Sequence, residues 1–192
     1  MEAEIFRWND KYSKLKNFDA YILLGGFSYE DRGRSGVVAA KDPIMKIIQK
    51  EAESGKPVLG ICNGAQILIE CGLIPGFNKD HLEIALAYNE RIKNDQILGA
   101  GFYNDWIYMR HNGIPGRSVF NNFSRKLIMR VPVAHAECRF ITRQKAVLEA
   151  LAKNEQDLFR YCDENGKFTN EFPVNPNGST QNIAGICNKE GN

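Results

Sequence analysis

Residues 57–72, PVLGICNGAQILIECG, decide how this chain folds. The apolar run at 57–61 is typical of a strand buried on both faces, as the strands of parallel sheets are. Residues 64–72 have a helical pattern that ends at Gly72. A strand, a Gly-x-Cys-x-Gly turn and a helix together predict a nucleophile elbow, in which Cys62 takes the position of the nucleophilic serine.

The predicted elbow gives Cys62 the properties of a nucleophile. Its sharp turn leaves room only for small flanking residues, here Gly60 and Gly64, and it lifts the sulfur out of the sheet edge. The sulfur then lies at the N-terminus of a helix, where unpaired N–H groups and the helix dipole favour thiolate over thiol. The N–H of Asn63 would face the oxyanion formed by attack. The alternative is a buried cysteine that packs as a small hydrophobic residue.

The letters GICN occur a second time, at 185–188, without this context. Lys-Glu-Gly follows them, which is typical of a turn and not of a helix. We therefore predict a structural role for Cys187. The same role is predicted for Cys71, which lies on the helix behind the elbow.

Strands and helices alternate along the chain, which is typical of an α/β protein with a parallel sheet. We predict one domain over residues 1–192, a doubly wound, mostly parallel sheet flanked by helices. Asp42 is the predicted N-cap of a helix with Pro43 in its first turn. Strands are predicted at 3–8, 18–24, 57–61, 102–109, 127–135, 157–162 and 182–187, helices at 42–55, 64–72 and 144–154, and a loop at 175–180.

Composition narrows the classes of function. With 25 basic and 23 acidic residues the charges nearly cancel, so neither a nucleic acid nor a membrane surface is indicated as a partner. The first ten residues lack the basic and apolar blocks of a signal peptide. The five cysteines are odd in number and form no CxxC pair, so we expect a reducing, cytoplasmic setting and no metal site.

Four segments carry a family resemblance: GGFSYEDRGRSG at 25–36, KPVLGICNGAQILIECGLIPG at 56–76, VPVAHAECRF at 131–140 and NPNGSTQNIAGICNKEGN at 175–192. The chain resembles the glutaminase subunit of phosphoribosylformylglycinamidine synthase, a class I (triad) glutamine amidotransferase of purine biosynthesis. The resemblance covers almost the whole chain in the family's order. It implies a fold of the class I glutamine amidotransferase type, which is flavodoxin-like.

The resemblance also implies a mechanism. Cys62 would attack the side-chain carboxamide of glutamine, ammonia would leave, and water would hydrolyse the thioester. The N–H groups of Asn63 and Gly26 would form the oxyanion hole, while Gln66 and Gly25 would contact the glutamine substrate. As alternatives, Gln66 could be an ordinary exposed helix residue and the glycine pair a simple turn at the end of a strand.

The resemblance predicts elements at both ends that this sequence does not contain. A first strand with a Gly-Ser/Thr-Asn-Cys loop should precede residue 2, and a His-Pro-Glu segment that supplies the base should follow residue 192. We therefore expect little glutaminase activity from the chain alone. The His-x-Glu spacing of His135 and Glu137 would by itself indicate the general base and its carboxylate partner. In the family, however, this segment is separate from the catalytic triad. Two family glycines are replaced there, by Ala136 and Cys138.

The resemblance implies a partner: a larger synthetase subunit that uses ATP to convert formylglycinamide ribonucleotide to its amidine, with a small third subunit as a further candidate. ATP and magnesium are expected on that partner, and no cofactor is expected here, because the sequence has no Walker-type loop. Two alternatives remain open: a cysteine hydrolase or glyoxalase of the DJ-1/PfpI group, and a non-catalytic fragment.

Overall fold

The computed structural model describes residues 2–78 and 82–192. Three α-helices and ten strands occur in these ranges, with short 3-10 helices at Tyr12–Asn17, Ser28–Asp31, Ala39–Lys41 and Thr180–Asn182. The helices are α1 (Pro43–Glu53), α2 (Asn63–Glu70) and α3 (Lys145–Lys153). The strands are β1 (Tyr21–Leu23), β2 (Val58–Gly60), β3 (Ala85–Ala87), β4 (Glu90–Lys93), β5 (Gln96–Ala100), β6 (Tyr103–His111), β7 (Ile128–His135), β8 (Arg139–Ile141), β9 (Asp157–Cys162) and β10 (Ile183–Ile186).

The predicted α/β class is confirmed. Strands β1 and β2 pair in parallel, with Tyr21 opposite Val58 and Leu23 opposite Gly60. The other pairings in the described residues are antiparallel: a four-stranded sheet in the order β10-β9-β6-β7 and the two-stranded pairs β3-β8 and β4-β5. Antiparallel pairs are thus more numerous than the sequence pattern suggested. A loop and not a helical crossover joins β6 to β7, as is usual for neighbouring strands that pair antiparallel.

The strand predicted at residues 3–8 is wrong. This segment is irregular and leads into a turn, and no strand in the described chain pairs with it. Ile5 and Trp8 are 79% and 76% exposed, while Phe6 packs against the edge of the core. A short apolar run becomes a strand only where a neighbouring strand supplies hydrogen-bond partners, and sequence pattern alone does not reveal that neighbour.

Helix α1 follows the sequence prediction closely. The carboxylate of Asp42 accepts a hydrogen bond from the N–H of Ile44 at 2.9 Å, and Pro43 is the first helical residue. The buried face of α1 carries Met45, Ile48 and Ala52, whereas the apolar pattern predicts Ile44, Ile47 and Ile48; Ile44 and Ile47 are partly buried and pack against the same core. This face packs into a core that also holds β1, β2 and α2.

Helix α2 lies between two hydrophobic clusters. Ile67 and Leu68 pack with α1, whereas Ile69 packs with β3, β8 and α3. Because both sides of α2 are buried, its N-terminus has a fixed position relative to β1 and β2. In the described parts of the chain no helix is long and apolar enough to cross a bilayer.

Candidate active site

Cys62 stands at the sharp turn between β2 and α2. Its backbone has φ 53° and ψ −111°, which is a strained conformation for a residue with a side chain. It is the N-cap residue of α2, and its carbonyl accepts a hydrogen bond from the N–H of Gln66 at 3.1 Å. This is the geometry of the predicted nucleophile elbow.

Two glycines make the turn sterically possible. A Cβ on Gly64 would lie 2.0 Å from the carbonyl oxygen of Leu23, at the end of β1. A Cβ on Gly60 would lie 2.8 Å from the backbone nitrogen of Ala65. Since both obstructing atoms belong to the backbone, they cannot move aside as a side chain can. The Gly-x-Cys-x-Gly pattern therefore reflects the close approach of α2 to the two parallel strands.

The half-buried thiol of Cys62 is held in an environment that favours the thiolate. A hydrogen bond from the thiol of Cys138 has the largest effect and lowers the pKa of Cys62, burial opposes it, and the N–H of Asn63 lowers the pKa further. The negative charge of nearby Asp31 raises it slightly. Together these contacts lower the pKa of Cys62 to about 6, so the thiolate predominates at neutral pH.

The Gly25–Gly26 loop lies beside the thiol. A Cβ on Gly25 would be 3.3 Å from the Cβ of Cys62 and 3.9 Å from its sulfur. The amide of Gly26 makes no hydrogen bond within residues 2–78 and 82–192, while the amide of Asn63 already faces the sulfur. The N–H of Asn63 is therefore at the sulfur and the residue before Gly26 lies beside it. The role of Asn63 and Gly26 as an oxyanion hole stays a prediction.

The side chain of Asn63 ties the elbow to the loop that follows β1. Its Oδ1 accepts hydrogen bonds from the hydroxyl of Ser28 at 2.6 Å and from the N–H of Ser28 at 3.2 Å. Its Nδ2 donates to Asp31 at 3.3 Å and to Gln66 at 2.8 Å. In this loop Tyr29, Glu30 and Asp31 all have positive φ angles, between 48° and 58°. Asn63, which is 2% exposed, thus supports an unusual backbone shape next to the nucleophile.

Gln66 is buried, so it is not an ordinary exposed helix residue. Its amide nitrogen donates to the carbonyl oxygen of Glu137, and its amide oxygen accepts from Asn63. The side chain therefore joins α2 to the segment between β7 and β8. Both of its polar atoms have protein partners, so contact with a glutamine substrate stays a prediction.

The histidines at 111 and 135 have other partners than Cys62. The Nδ1 of His135 lies 3.0 Å from the amide nitrogen of Asn89, and burial lowers the pKa of His135. Glu137 instead accepts a hydrogen bond from the N–H of Ser35, so His135 and Glu137 do not form a pair. His111 is 1% exposed and contacts Asn121. His81 lies outside the described residues.

Cys138 is the neighbour of the nucleophile that sequence reasoning missed. The only signal was a cysteine at a position where the resembled family has glycine. Cys71 and Cys187 are the two cysteines for which a structural role is predicted. Burial raises the pKa of Cys71 to about 11 and also raises that of Cys187, which lies buried at the end of β10. Sequence position alone could not show which thiol faces Cys62.

Comparison with known proteins identifies relatives of the whole chain. The family of CobB/CobQ-like glutamine amidotransferase domains matches residues 4–192. The phosphoribosylformylglycinamidine synthase subunit PurQ of Methanothrix thermoacetophila is 47% identical over all of this chain and 73% of its own length. PurQ of Aquifex aeolicus is 40% identical over all of this chain and 74% of its own length. The structure of PurLQS from Thermotoga maritima superposes with a TM-score of 0.69 at 32% identity, covering 96% of this chain and 68% of that one.

Proposed function

The chain belongs to the family of CobB/CobQ-like glutamine amidotransferases, and we propose that it is the glutaminase subunit of a phosphoribosylformylglycinamidine synthase. In this role it hydrolyses glutamine to glutamate and ammonia. The observation that carries the proposal is the position of Cys62 at the N-terminus of α2, in a chain that is 47% identical over its full length to PurQ of Methanothrix thermoacetophila. This relationship does not favour a DJ-1/PfpI-type hydrolase or a non-catalytic fragment.

The described residues support the nucleophilic half of the reaction. The Cys62 thiolate attacks the side-chain carbonyl carbon of glutamine, and the carbonyl oxygen becomes an oxyanion between the N–H groups of Asn63 and Gly26. The intermediate collapses when its nitrogen has gained a proton and leaves as ammonia. Water then converts the γ-glutamyl thioester to glutamate. Loss of one oxyanion donor typically raises such a barrier by about 3–4 kcal/mol.

The proton transfers need a group other than the histidines that the structure describes. His111 is held by Asn121 and His135 by Asn89. Neither ring is among the groups that shift the pKa of Cys62. The proposal therefore assigns the nucleophile and the oxyanion donors to this part of the chain, and it assigns no base among the described residues.

The ammonia is used by a partner. The relative of known structure belongs to a complex named PurLQS, and the curated relatives are named as subunits of the synthase. Our proposal is that this chain delivers ammonia to the large synthetase subunit and that ATP and magnesium bind there. The proposed location is the cytoplasm, where the five free cysteines would stay reduced.

The proposal is tested by changing the nitrogen source in the assembled complex. The chain is combined with its synthetase subunit, and amidine formation is measured with either glutamine or ammonium chloride. Cys62→Ser should lower the glutamine-dependent rate by at least about 1,000-fold and leave the ammonium-dependent rate intact. Cys71→Ser, the matched control at the end of α2, should change neither rate. Glutamine-dependent product from Cys62→Ser would refute the assignment.

A further inference from the structure

The loop after β1 is anchored to the two residues that flank Cys62. At its start, the carbonyl of Leu23 accepts a hydrogen bond from the N–H of Ile61 at 3.0 Å. At its end, the hydroxyl of Ser28 donates to Oδ1 of Asn63 at 2.6 Å, and the N–H of Ser28 donates to the same oxygen at 3.2 Å. Ile61 and Asn63 are the residues directly before and after Cys62. The loop therefore runs past the nucleophile between two fixed points.

Between these anchors the loop has few other attachments. Neither Gly25 nor Gly26 makes a hydrogen bond to another residue of the described chain. Leu24 and Phe27 are 69% and 75% exposed, so little of either side chain packs against the protein. Ser28, by contrast, is partly buried. The position of the glycine pair thus depends on the bonds at the two ends of the loop.

The two anchors differ in kind. The bond at Leu23 joins two backbone groups, which almost any residue could supply. The anchor at Ser28 needs a hydroxyl donor and an amide oxygen, and both come from side chains. Because a backbone N–H can only donate, the atom of Asn63 that faces Ser28 is the oxygen and not the nitrogen. A substitution that leaves the backbone unchanged can therefore weaken this second anchor.

The side chain of Asn63 is itself held in place. It is 2% exposed, and its Nδ2 donates to Gln66 at 2.8 Å and to Asp31 at 3.3 Å. Asp31 is the last residue of the stretch 29–31, in which every φ is positive, a backbone shape that residues with side chains rarely adopt. One buried amide group therefore binds both ends of the turn that begins at Ser28.

We propose that Ser28 is a positioning residue of the glutaminase reaction. Through Asn63 it holds the Gly25–Gly26 loop beside the nucleophile. The N–H of Gly26 is thereby placed to bind the oxyanion. This inference rests on the function proposed above and adds to it a residue that contacts the loop and not the reacting atoms.

The proposal gives Asn63 two roles in one site. Its backbone N–H is one predicted oxyanion donor, and its side chain holds the loop that carries the other. The oxyanion exists only after the thiolate has attacked, so bonds to it stabilise the transition state more than the bound substrate. A displaced loop should therefore slow the reaction more than it weakens the binding of glutamine.

The test compares serine variants in the complex assembled with the synthetase subunit. Ser28→Ala removes the hydroxyl, Ser28→Thr keeps it, and Ser13→Ala, at an exposed serine in the first 3-10 helix, is the matched control. Amidine formation is measured over a range of glutamine concentrations. The ammonium-dependent rate of each preparation corrects for its content of assembled complex, and near-ultraviolet circular dichroism shows whether each variant is folded.

The expected result is a loss in kcat that depends on the hydroxyl. In Ser28→Ala the kcat with glutamine should fall about 10- to 100-fold, because a small misplacement of groups at a reacting centre has effects of that size. The KM for glutamine should change less than about threefold, as for an interaction made only in the transition state. Ser28→Thr and Ser13→Ala should keep a kcat within about threefold of the parent value. A parental kcat in folded Ser28→Ala would overturn the proposal.

Alkylation by iodoacetamide separates a positioning role from general damage to the site. This reagent loses iodide from a saturated carbon and forms no oxyanion, so Cys62 in Ser28→Ala should react at the parental rate. An alkylation rate that falls as far as kcat would contradict the positioning role, because the nucleophile itself would then be impaired.

A double variant tests whether Ser28 acts through Asn63. Asn63→Ala removes the shared acceptor, so adding Ser28→Ala to it should lower kcat further by less than about twofold. Losses that multiply would overturn the proposal. A parent complex that makes no product from glutamine would refute the proposed function, and with it this role. An active parent together with an equally active Ser28→Ala would refute the role of Ser28 alone.

Discussion

The α-carbon of Gly64 lies so close to the carbonyl of Leu23 that an added Cβ would be 2.0 Å from the carbonyl oxygen. This contact brings the first turn of α2 against the end of β1. It also places the Gly25–Gly26 loop, which follows β1, beside Cys62. The distance between Cys62 and Gly26, its predicted oxyanion donor, thus depends on residue 64 having a hydrogen atom in place of a side chain.

Replacing this glycine should therefore destabilise the protein. In Gly64→Ala the methyl group meets backbone atoms that cannot rotate away, so the free energy of unfolding should fall by about 3 kcal/mol. Urea denaturation followed by circular dichroism measures the change. The matched control is Gly185→Ala in β10, where the nearest atom is a side-chain carbon of Phe159 at 3.3 Å. If Gly64→Ala lowers the free energy of unfolding no more than Gly185→Ala does, α2 does not approach β1 this closely.

The reactivity of Cys62 should depend on pH with a low midpoint. Because the pKa of Cys62 is about 6, its thiolate forms as the pH rises through that value. The rate of alkylation by iodoacetamide should rise through pH about 6 and level off above it, whereas Cys71, with a pKa of about 11, should stay slow at neutral pH. Peptide mass spectrometry follows both sites in one sample. A midpoint for Cys62 near the ordinary thiol value of about 8.5 would disagree with this environment.

Removing the side chain of Cys138 should raise the pH midpoint for alkylation of Cys62. The hydrogen bond from Cys138 is the largest cause of the lowered pKa of Cys62, and Cys138→Ala deletes the donor while the N–H of Asn63 remains. The alkylation midpoint of Cys62 should therefore shift from about 6 toward the ordinary value of about 8.5. Cys71→Ala should leave the midpoint where it is. An unchanged profile in folded Cys138→Ala would mean that the two thiols are not hydrogen-bonded.

Truncating Asn63 distinguishes the role of its side chain from the role of its backbone N–H. Asn63→Ala leaves the polar atoms of Ser28 and Gln66 without their partner, so we expect a loss of about 1–3 kcal/mol in unfolding free energy. The backbone N–H is kept, so the pH midpoint of Cys62 alkylation should change little. Asn122→Ala, at an exposed asparagine, should alter stability by less than about 0.5 kcal/mol. Equal stability of both variants would argue against the hydrogen bonds of Asn63.

The elbow could be predicted from sequence because its determinants are local. Gly60, Cys62 and Gly64 lie within five residues, and the strand and helix that flank them have clear apolar patterns. The same holds for the start of α1, whose Asp42 cap appears in the structure as predicted. Where the residues that determine an element all lie within it or next to it in the chain, the sequence is sufficient to predict that element.

The errors and omissions concern partners that are distant in sequence. Residues 3–8 have an apolar pattern but no strand beside them in the described chain. The backbone of Cys138 is bound by the buried side chains of Asn89 and Asn177, and Gln66 holds the residue before it. Such contacts depend on how whole elements pack. For the same reason His135, which has the spacing of a catalytic pair with Glu137, instead packs against Asn89.

The most direct test of the central claim is to locate the residue modified by a reactive glutamine analogue. The chain, assembled with its synthetase partner, is treated with 6-diazo-5-oxo-norleucine and digested, and the adduct is assigned by mass spectrometry. Our account predicts a single adduct on the sulfur of Cys62, prevented by excess glutamine and absent from Cys62→Ser. An adduct on any other cysteine that glutamine prevents, with Cys62 unmodified, would contradict it.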